Sequence, residues 1–378
     1  MSKKQGLGIG ISIVIIIISQ LLPACGTLSS AGVKTIGMLV AFLIMLVTEA
    51  LPVVVTSLLF CGLMPLLGVT KNLGEALTGY SQPIVFFTLA SFGIAAAITS
   101  IPLAKRILRA LMRKFGKNIA TVLLAVMVCT ALVSSMVSNV PTCAIFMAIA
   151  LSFVEMYKNE EEKRKTARAF MIAVPIASMI GGMMTPAGSS INLLAIAQLE
   201  KLTGETITFV QWMSAGIPLA IVMIPLAWFL ILKIYKPVSV SHKEIIEFVN
   251  QLEVPDKMEK PEIKVVWLII IMLVLWILSS WVKAINVMVV AIIGCCVLFF
   301  PGMRILKIET FLKENSWDAF FLVGTVLSIS EAMITNGVSS ALANALPTLN
   351  VSTPLLLAFT AILIFAALLI IPVASSLI

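Results

Sequence analysis

The chain has 378 residues, 60% of them hydrophobic and only 12% charged, with a net charge of +8. Together with a mean hydropathy of +1.11, this excludes a soluble globular domain. The positive balance is not that of a nucleic-acid binder either, because no basic face is interleaved with aromatics.

Apolar stretches of about 18 to 20 residues recur, each long enough at about 1.5 Å per residue to cross about 30 Å of hydrocarbon. The expected fold class is therefore an all-α polytopic membrane protein. Residues 1–34 hold the first span, an apolar run from Gly6 that reads as a transmembrane helix rather than a signal peptide, since no cleavage site and soluble domain come after it. Spans at 35–51 and 53–69 follow, then one at 83–102. The basic stretch KRILRALMRKFGKN (105–118) is expected to form an amphipathic helix on the inner leaflet.

The next apolar block, 119–154, is flanked by basic residues at both ends and is interrupted at SSMVSNVPT (134–142). Pro141 removes a backbone donor, and Ser134, Ser135, Ser138, Asn139 and Thr142 crowd the break with polar groups. Irregular backbone at membrane depth is tolerated only where protein or a water-filled cavity satisfies it. Residues 119–156 thus read as a re-entrant hairpin with a polar tip, a binding site. A second break falls within 168–199, at IGGMMTPAGSSINLLA, where Gly181, Gly182, Pro186 and Gly188 unwind the helix. There Thr185, Ser189, Ser190 and Asn192 offer oxygens and amides. A span at 213–235 and a polar linker at 236–264, read as cytoplasmic, close the first half.

The second half, 265–378, starts with two more spans, and its segment 309–342 echoes 75–108. Phe320-Phe321 matches Phe86-Phe87, and Ile334-Thr335-Asn336 matches Ile98-Thr99-Ser100. By span count the copies run in opposite directions, an inverted-topology repeat of the kind that builds secondary transporters with a midplane site. This topology, with a cytoplasmic N-terminus, puts 22 of the 26 basic residues inside and Lys34, Lys71, Lys201 and Lys283 outside. Asp318 and Glu331 are acidic residues of the repeated span, functional by default in hydrocarbon, with snorkelling or capping of an unwound end as the equal alternative for Glu331. The repeat makes 353–371 the first limb of a second hairpin and 372–378 its tip, with Ser375 and Ser376 at the second site. The expectation is that 265–378 is truncated within that hairpin, a fragment of a longer transporter.

Six cysteines lie in apolar runs without metal-ligand spacing, and the one histidine, His242, is in the linker, so metal- or His-dependent catalysis is disfavoured. No nucleophile with its base stands at a common depth, and no enzyme activity and no cofactor is expected.

The tip Ser138-Asn139, the broken helix Gly188-Ser189-Ser190-Ile191-Asn192, the string ITFVQWMSAGIPLAI and the inverted repeat resemble the divalent anion/sodium symporter family. That family carries di- and tricarboxylates or sulfate, and has a Ser-Asn-Thr motif at the tips of two hairpins and a Gly-Thr-Pro-Pro-Asn-like stretch in the helix that follows. The resemblance implies that Ser134, Ser138, Asn139 and backbone near Gly188 hold sodium as a coupling ion. Hard oxygen ligands suit such a cation. It also implies that Asn139, Val140, Thr142, Ser189, Ser190 and Asn192, with Ser375 and Ser376, face a small dianionic substrate. A homodimer in the plasma membrane follows from the same resemblance. Val140 stands where the motif's Thr would donate a hydroxyl, and Ser189-Ser190-Ile191 replaces Thr-Pro-Pro. A sodium-independent exchanger and a sulfate or other anion permease are the alternative readings.

Overall fold

The computed structural model describes residues 3–24, 28–252, 254–345 and 355–362, so the expected second tip with Ser375 and Ser376 lies outside the described residues. The regular elements among the described residues are helices. In chain order they are α1 (Lys3–Leu21), α2 (Ser30–Val47), α3 (Val53–Leu66), α4 (Leu73–Ala76), α5 (Pro83–Thr99), α6 (Leu103–Phe115), α7 (Ile119–Ser134), α8 (Asn139–Val154) and α9 (Glu160–Gly182). There follow α10 (Ser190–Thr203), α11 (Phe209–Tyr235), α12 (His242–Gln251), α13 (Lys260–Leu278), α14 (Val287–Val297), α15 (Ile308–Glu314), α16 (Trp317–Thr335) and α17 (Val338–Ala345). Five of the described helices, α1, α2, α11, α13 and α16, are long and apolar enough to cross a membrane, and α5 with α6 forms a pair bent by 60°. The chain is a multi-pass membrane protein.

It divides into two compact units, residues 1–85 with 316–378, and residues 86–315. In the first unit α1 lies along α2 at close range. A Cβ at Gly8 would run into Thr48, and one at Gly37 into Ser19, so small residues set this approach. The core here gathers Met38, Phe42, Met45, Phe60 and Met64 with Leu322 and Ile329 of α16. Polar bonds tie α16 in: Tyr80 donates to the Phe321 carbonyl at 3.0 Å, and the Asn336 amide donates to Thr35 Oγ1 (2.8 Å) and the Val69 carbonyl (2.9 Å). Asp318 sits in the first turn of α16, where the helix dipole favours an acid.

In the second unit α7, α8, α9 and α11 pack together. Helices α7 and α8 have 16 residues each, so each is about 24 Å long and falls short of a full crossing. Beside them α6 buries Ala104, Leu108 and Met112 and packs against α7 and α12. Helix α12 is an element that the polar linker conceals; a capping box between Ser241 and Glu244 starts it, and Ile245, Phe248 and Val249 form its buried face.

The arginines of α6 reach the linker, so part of the charge on this amphipathic helix has protein partners. Arg106 grips Glu262 through two bonds of 2.6 and 2.9 Å, and also donates to the Lys257 carbonyl at 3.2 Å. Arg109 donates to the Val254 carbonyl at 2.7 Å and to Asp256 Oδ1 at 2.8 Å. That bond holds the Asp256 carboxyl below the usual carboxylate range, so its contribution is present at neutral pH and is lost as the pH falls through the lowered value.

Glu262 is 1% exposed, so removing its partner leaves an uncompensated buried charge. Arg106→Ala is expected to cost about 3 kcal/mol, whereas Arg113→Ala, which loses a 3.4 Å contact to Asn250 at the surface, should cost below about 0.5 kcal/mol. Thermal unfolding of the two variants in detergent checks the difference.

Candidate functional site

Two interruptions of regular helix come together in the second unit. The first, residues 135–138, separates α7 from α8; the second, residues 183–189, separates α9 from α10 and contains a single 3-10 turn at Pro186–Gly188. At the first, Pro141 occupies the opening turn of α8, where its missing N–H is tolerated. At the second, Gly181 and Gly182 end α9, and Thr185 caps the 3-10 turn by accepting from the Gly188 N–H at 3.0 Å. Close approach explains the glycines. A Cβ at Gly181 would collide with the backbone of Ala131 on α7, one at Gly182 with the Asn139 side chain, and one at Gly188 would come within 2.6 Å of the Gly182 carbonyl.

The carbonyls released by unwinding α9 are met one by one. Gly182 O accepts from the Asn192 amide at 2.7 Å, Thr185 O accepts from the same amide at 2.9 Å, and Met183 O accepts from the Trp212 indole at 2.9 Å. Across the gap, the Thr185 hydroxyl donates to the carbonyl of Ser135 at the end of α7. Each such group left unmet in an apolar interior would cost several kcal/mol.

Between the two breaks lies a cluster of oxygens. The Ser134 hydroxyl is 2.8 Å from Asn139 Oδ1, 2.8 Å from the Ser178 carbonyl and 3.1 Å from Ser178 Oγ. Ser178 in turn donates to the Asn139 carbonyl at 2.8 Å. Five oxygens (two hydroxyl, one amide, two carbonyl) thus share the protons of two hydroxyls. Such a set is rich in acceptors, uncharged and oxygen-only, which matches a hard monovalent cation. The C-terminal ends of α7 and α9 and the N-terminal ends of α8 and α10 border the same region. Carbonyl ends favour a cation and amide ends an anion.

The structure places the sequence-derived residues as follows. Ser134 and Asn139 share the cluster, and Ser138 is the residue before α8, beside it. Gly188 is buried against Gly182. Thr142 is fully buried one turn into α8, and its hydroxyl has no hydrogen-bond partner. Val140 lies in the first turn of α8, Ser189 caps α10 through the Ile191 N–H, and Ser190 opens that helix. Asn192 is buried, and its amide nitrogen donates to two carbonyls of the unwound turn. Sequence reading missed Ser178. It sits mid-helix on α9, where a serine carries no signal beyond its position one turn before Gly181-Gly182.

A multi-pass protein whose paired helix interruptions meet at a neutral, acceptor-rich cluster of oxygens has the build of a membrane carrier. The family model for the sodium:sulfate symporter transmembrane region matches residues 3–377, and the chain belongs to that family, whose members are transporters rather than enzymes. It is similar to a membrane protein of Cupriavidus necator, 24% identical over 346 residues, covering 86% of this chain and 67% of that one. It is also similar to the sodium-dependent dicarboxylate transporter SdcS of Staphylococcus aureus, 26% identical over 340 residues, covering 82% of this chain and 64% of that protein. The chain thus spans about two thirds of the length of these relatives.

Removing the Ser178 hydroxyl takes a donor from the half-buried Asn139 carbonyl, and Ser178→Ala is expected to cost about 1 kcal/mol. Gly181→Ala forces α9 away from α7 and should cost about 1 to 3 kcal/mol. Melting temperatures of the purified variants test both, and an unchanged midpoint for Gly181→Ala would contradict the packing described.

Proposed function

We propose that the protein is a secondary active transporter of small divalent anions, di- or tricarboxylates such as succinate, malate or citrate, coupled to sodium and working by alternating access. The observation that carries this reading is the five-oxygen cluster of Ser134, Asn139 and Ser178 where the two interruptions meet. Sodium would take the place of the missing protons, held by Ser134, Ser138, Asn139 and backbone near Gly188. The anion would meet the amide ends of α8 and α10, with Asn139, Ser189 and Ser190 as donors and Val140 as an apolar wall. The buried, unpartnered Thr142 hydroxyl supplies a donor that Val140 lacks.

The relative SdcS, a sodium-dependent dicarboxylate transporter by name, supports this choice of ion and passenger. Neutral cation ligands suit a site that must release its ion again, since a fixed carboxylate there would hold it more tightly. On this reading the two halves are inverted repeats, Ser375 and Ser376 belong to a second tip, and the protein works as a homodimer in the plasma membrane with its N-terminus in the cytoplasm.

Uptake of labelled succinate, citrate and sulfate into proteoliposomes, with and without an inward sodium gradient, tests the proposal. Dicarboxylate uptake is expected to need the gradient and to fall at least about tenfold in Asn139→Ala, the loss of roughly one hydrogen bond to a charged group. Counterflow without any sodium response would replace symport by exchange, and selective sulfate uptake would replace the carboxylate passenger.

A further inference from the structure

We infer that the depression between the start of α9 and the end of α11 binds the headgroup of an anionic phospholipid. It has a volume of about 440 Å³ and is lined by Glu161, Arg164, Lys165 and Arg168 from α9 and by Ile234 and Tyr235 from α11. The two helices pack antiparallel, so the charged first turns of α9 stand beside the last turn of α11. On α9 the apolar run starts at Ala169, directly after Arg168. The three cations therefore ring the level at which hydrocarbon gives way to headgroups, and Tyr235 stands where amphipathic aromatic rings gather.

The charge is available. Arg164, Lys165 and Arg168 are exposed and make no ion pair or hydrogen bond among the described residues, and Glu161 is the one acid in the lining. Lys163, one residue away, is instead paired with Glu155 at 2.6 Å. The α6 arginines differ in the same way, since Arg106 and Arg109 are committed to Glu262 and Asp256.

Beneath the ring the surface is apolar on both helices. Arg168 is followed one turn later by Ile172, 40% exposed, and further along α9 by Met179. On α11 the exposed residues Leu226, Leu230 and Ile234 recur every four positions and form one stripe that runs up to the depression. A soluble anion would use the cations and ignore these stripes; a phospholipid uses both, phosphate against the guanidinium groups and acyl chains along the helices. Basic pockets at the ends of transmembrane helices are suited to such headgroups.

The test counts bound lipid by native mass spectrometry on the purified protein, offered phosphatidylglycerol or phosphatidylcholine in detergent. R164Q/K165Q/R168Q is expected to retain roughly tenfold less phosphatidylglycerol, with phosphatidylcholine unchanged. K243Q/K257Q/K260Q removes the same charge from the linker and should retain it as before. Equal loss in both triple variants, or loss in neither, would overturn the site. L230S/I234S leaves every cation in place and should also lower retention; undiminished binding there, or displacement of the lipid by inorganic phosphate, would show a bare anion site and overturn the lipid assignment. A melting midpoint within a few degrees of the parent protein certifies each variant as folded.

Discussion

Backbone polar groups that leave a helix inside an apolar interior must find new partners, and the second unit is arranged around that constraint. Unwinding α9 after Gly182 frees carbonyls that need new partners. Asn192 and Trp212 return from downstream to take them, and Thr185 crosses to the Ser135 carbonyl of the neighbouring break. One interruption is thereby satisfied partly by the other.

That mutual dependence sets the packing. Helices α7 and α9 must approach until backbone touches side chain, and Gly181 against Ala131 with Gly182 against Asn139 permits it. Without a hydrophobic force between helices in lipid, such contact is a main source of association. The same approach brings Ser178 between Ser134 and Asn139. Small residues at the break therefore do two things at once: they allow the helix to end, and they bring its last full turn within hydrogen-bonding reach of the hairpin.

Much of this was legible in the sequence, and what was not has a physical reason. Composition alone announces membrane spans, and a Pro with Ser and Asn inside an apolar block stands out because hydrocarbon gives polar groups no other purpose. The break at Gly181–Gly188 shows for the same reason. Ser178 does not, since a single serine in a transmembrane helix ordinarily bonds to its own preceding turn, and only the partner's position distinguishes the two cases. Helix α12 was hidden by the opposite problem: HKEIIEFVNQ is polar overall, and its three buried residues, Ile245, Phe248 and Val249, make an amphipathic face that matters only once α6 is beside it. The partners of the α6 arginines were not legible either, because a basic amphipathic helix looks the same whether its counter-charges are lipid phosphates or Glu262 and Asp256.

The oxygen cluster brings these threads to one consequence. Three of its atoms are side-chain oxygens from α7, α8 and α9, and two are the backbone carbonyls of Ser178 and Asn139. Acceptors facing acceptors repel unless a positive charge lies among them, and two hydroxyl protons offset only part of that repulsion across five oxygens. A bound cation would relieve the remainder and draw the three helices together; its departure would loosen the contact between the two breaks. On the proposed function, coupling then needs no separate device. The ion would tighten α8 against α9 and so fix the amide ends of α8 and α10 in relation to each other, and an anion with two charged ends would bind best with both of those ends held.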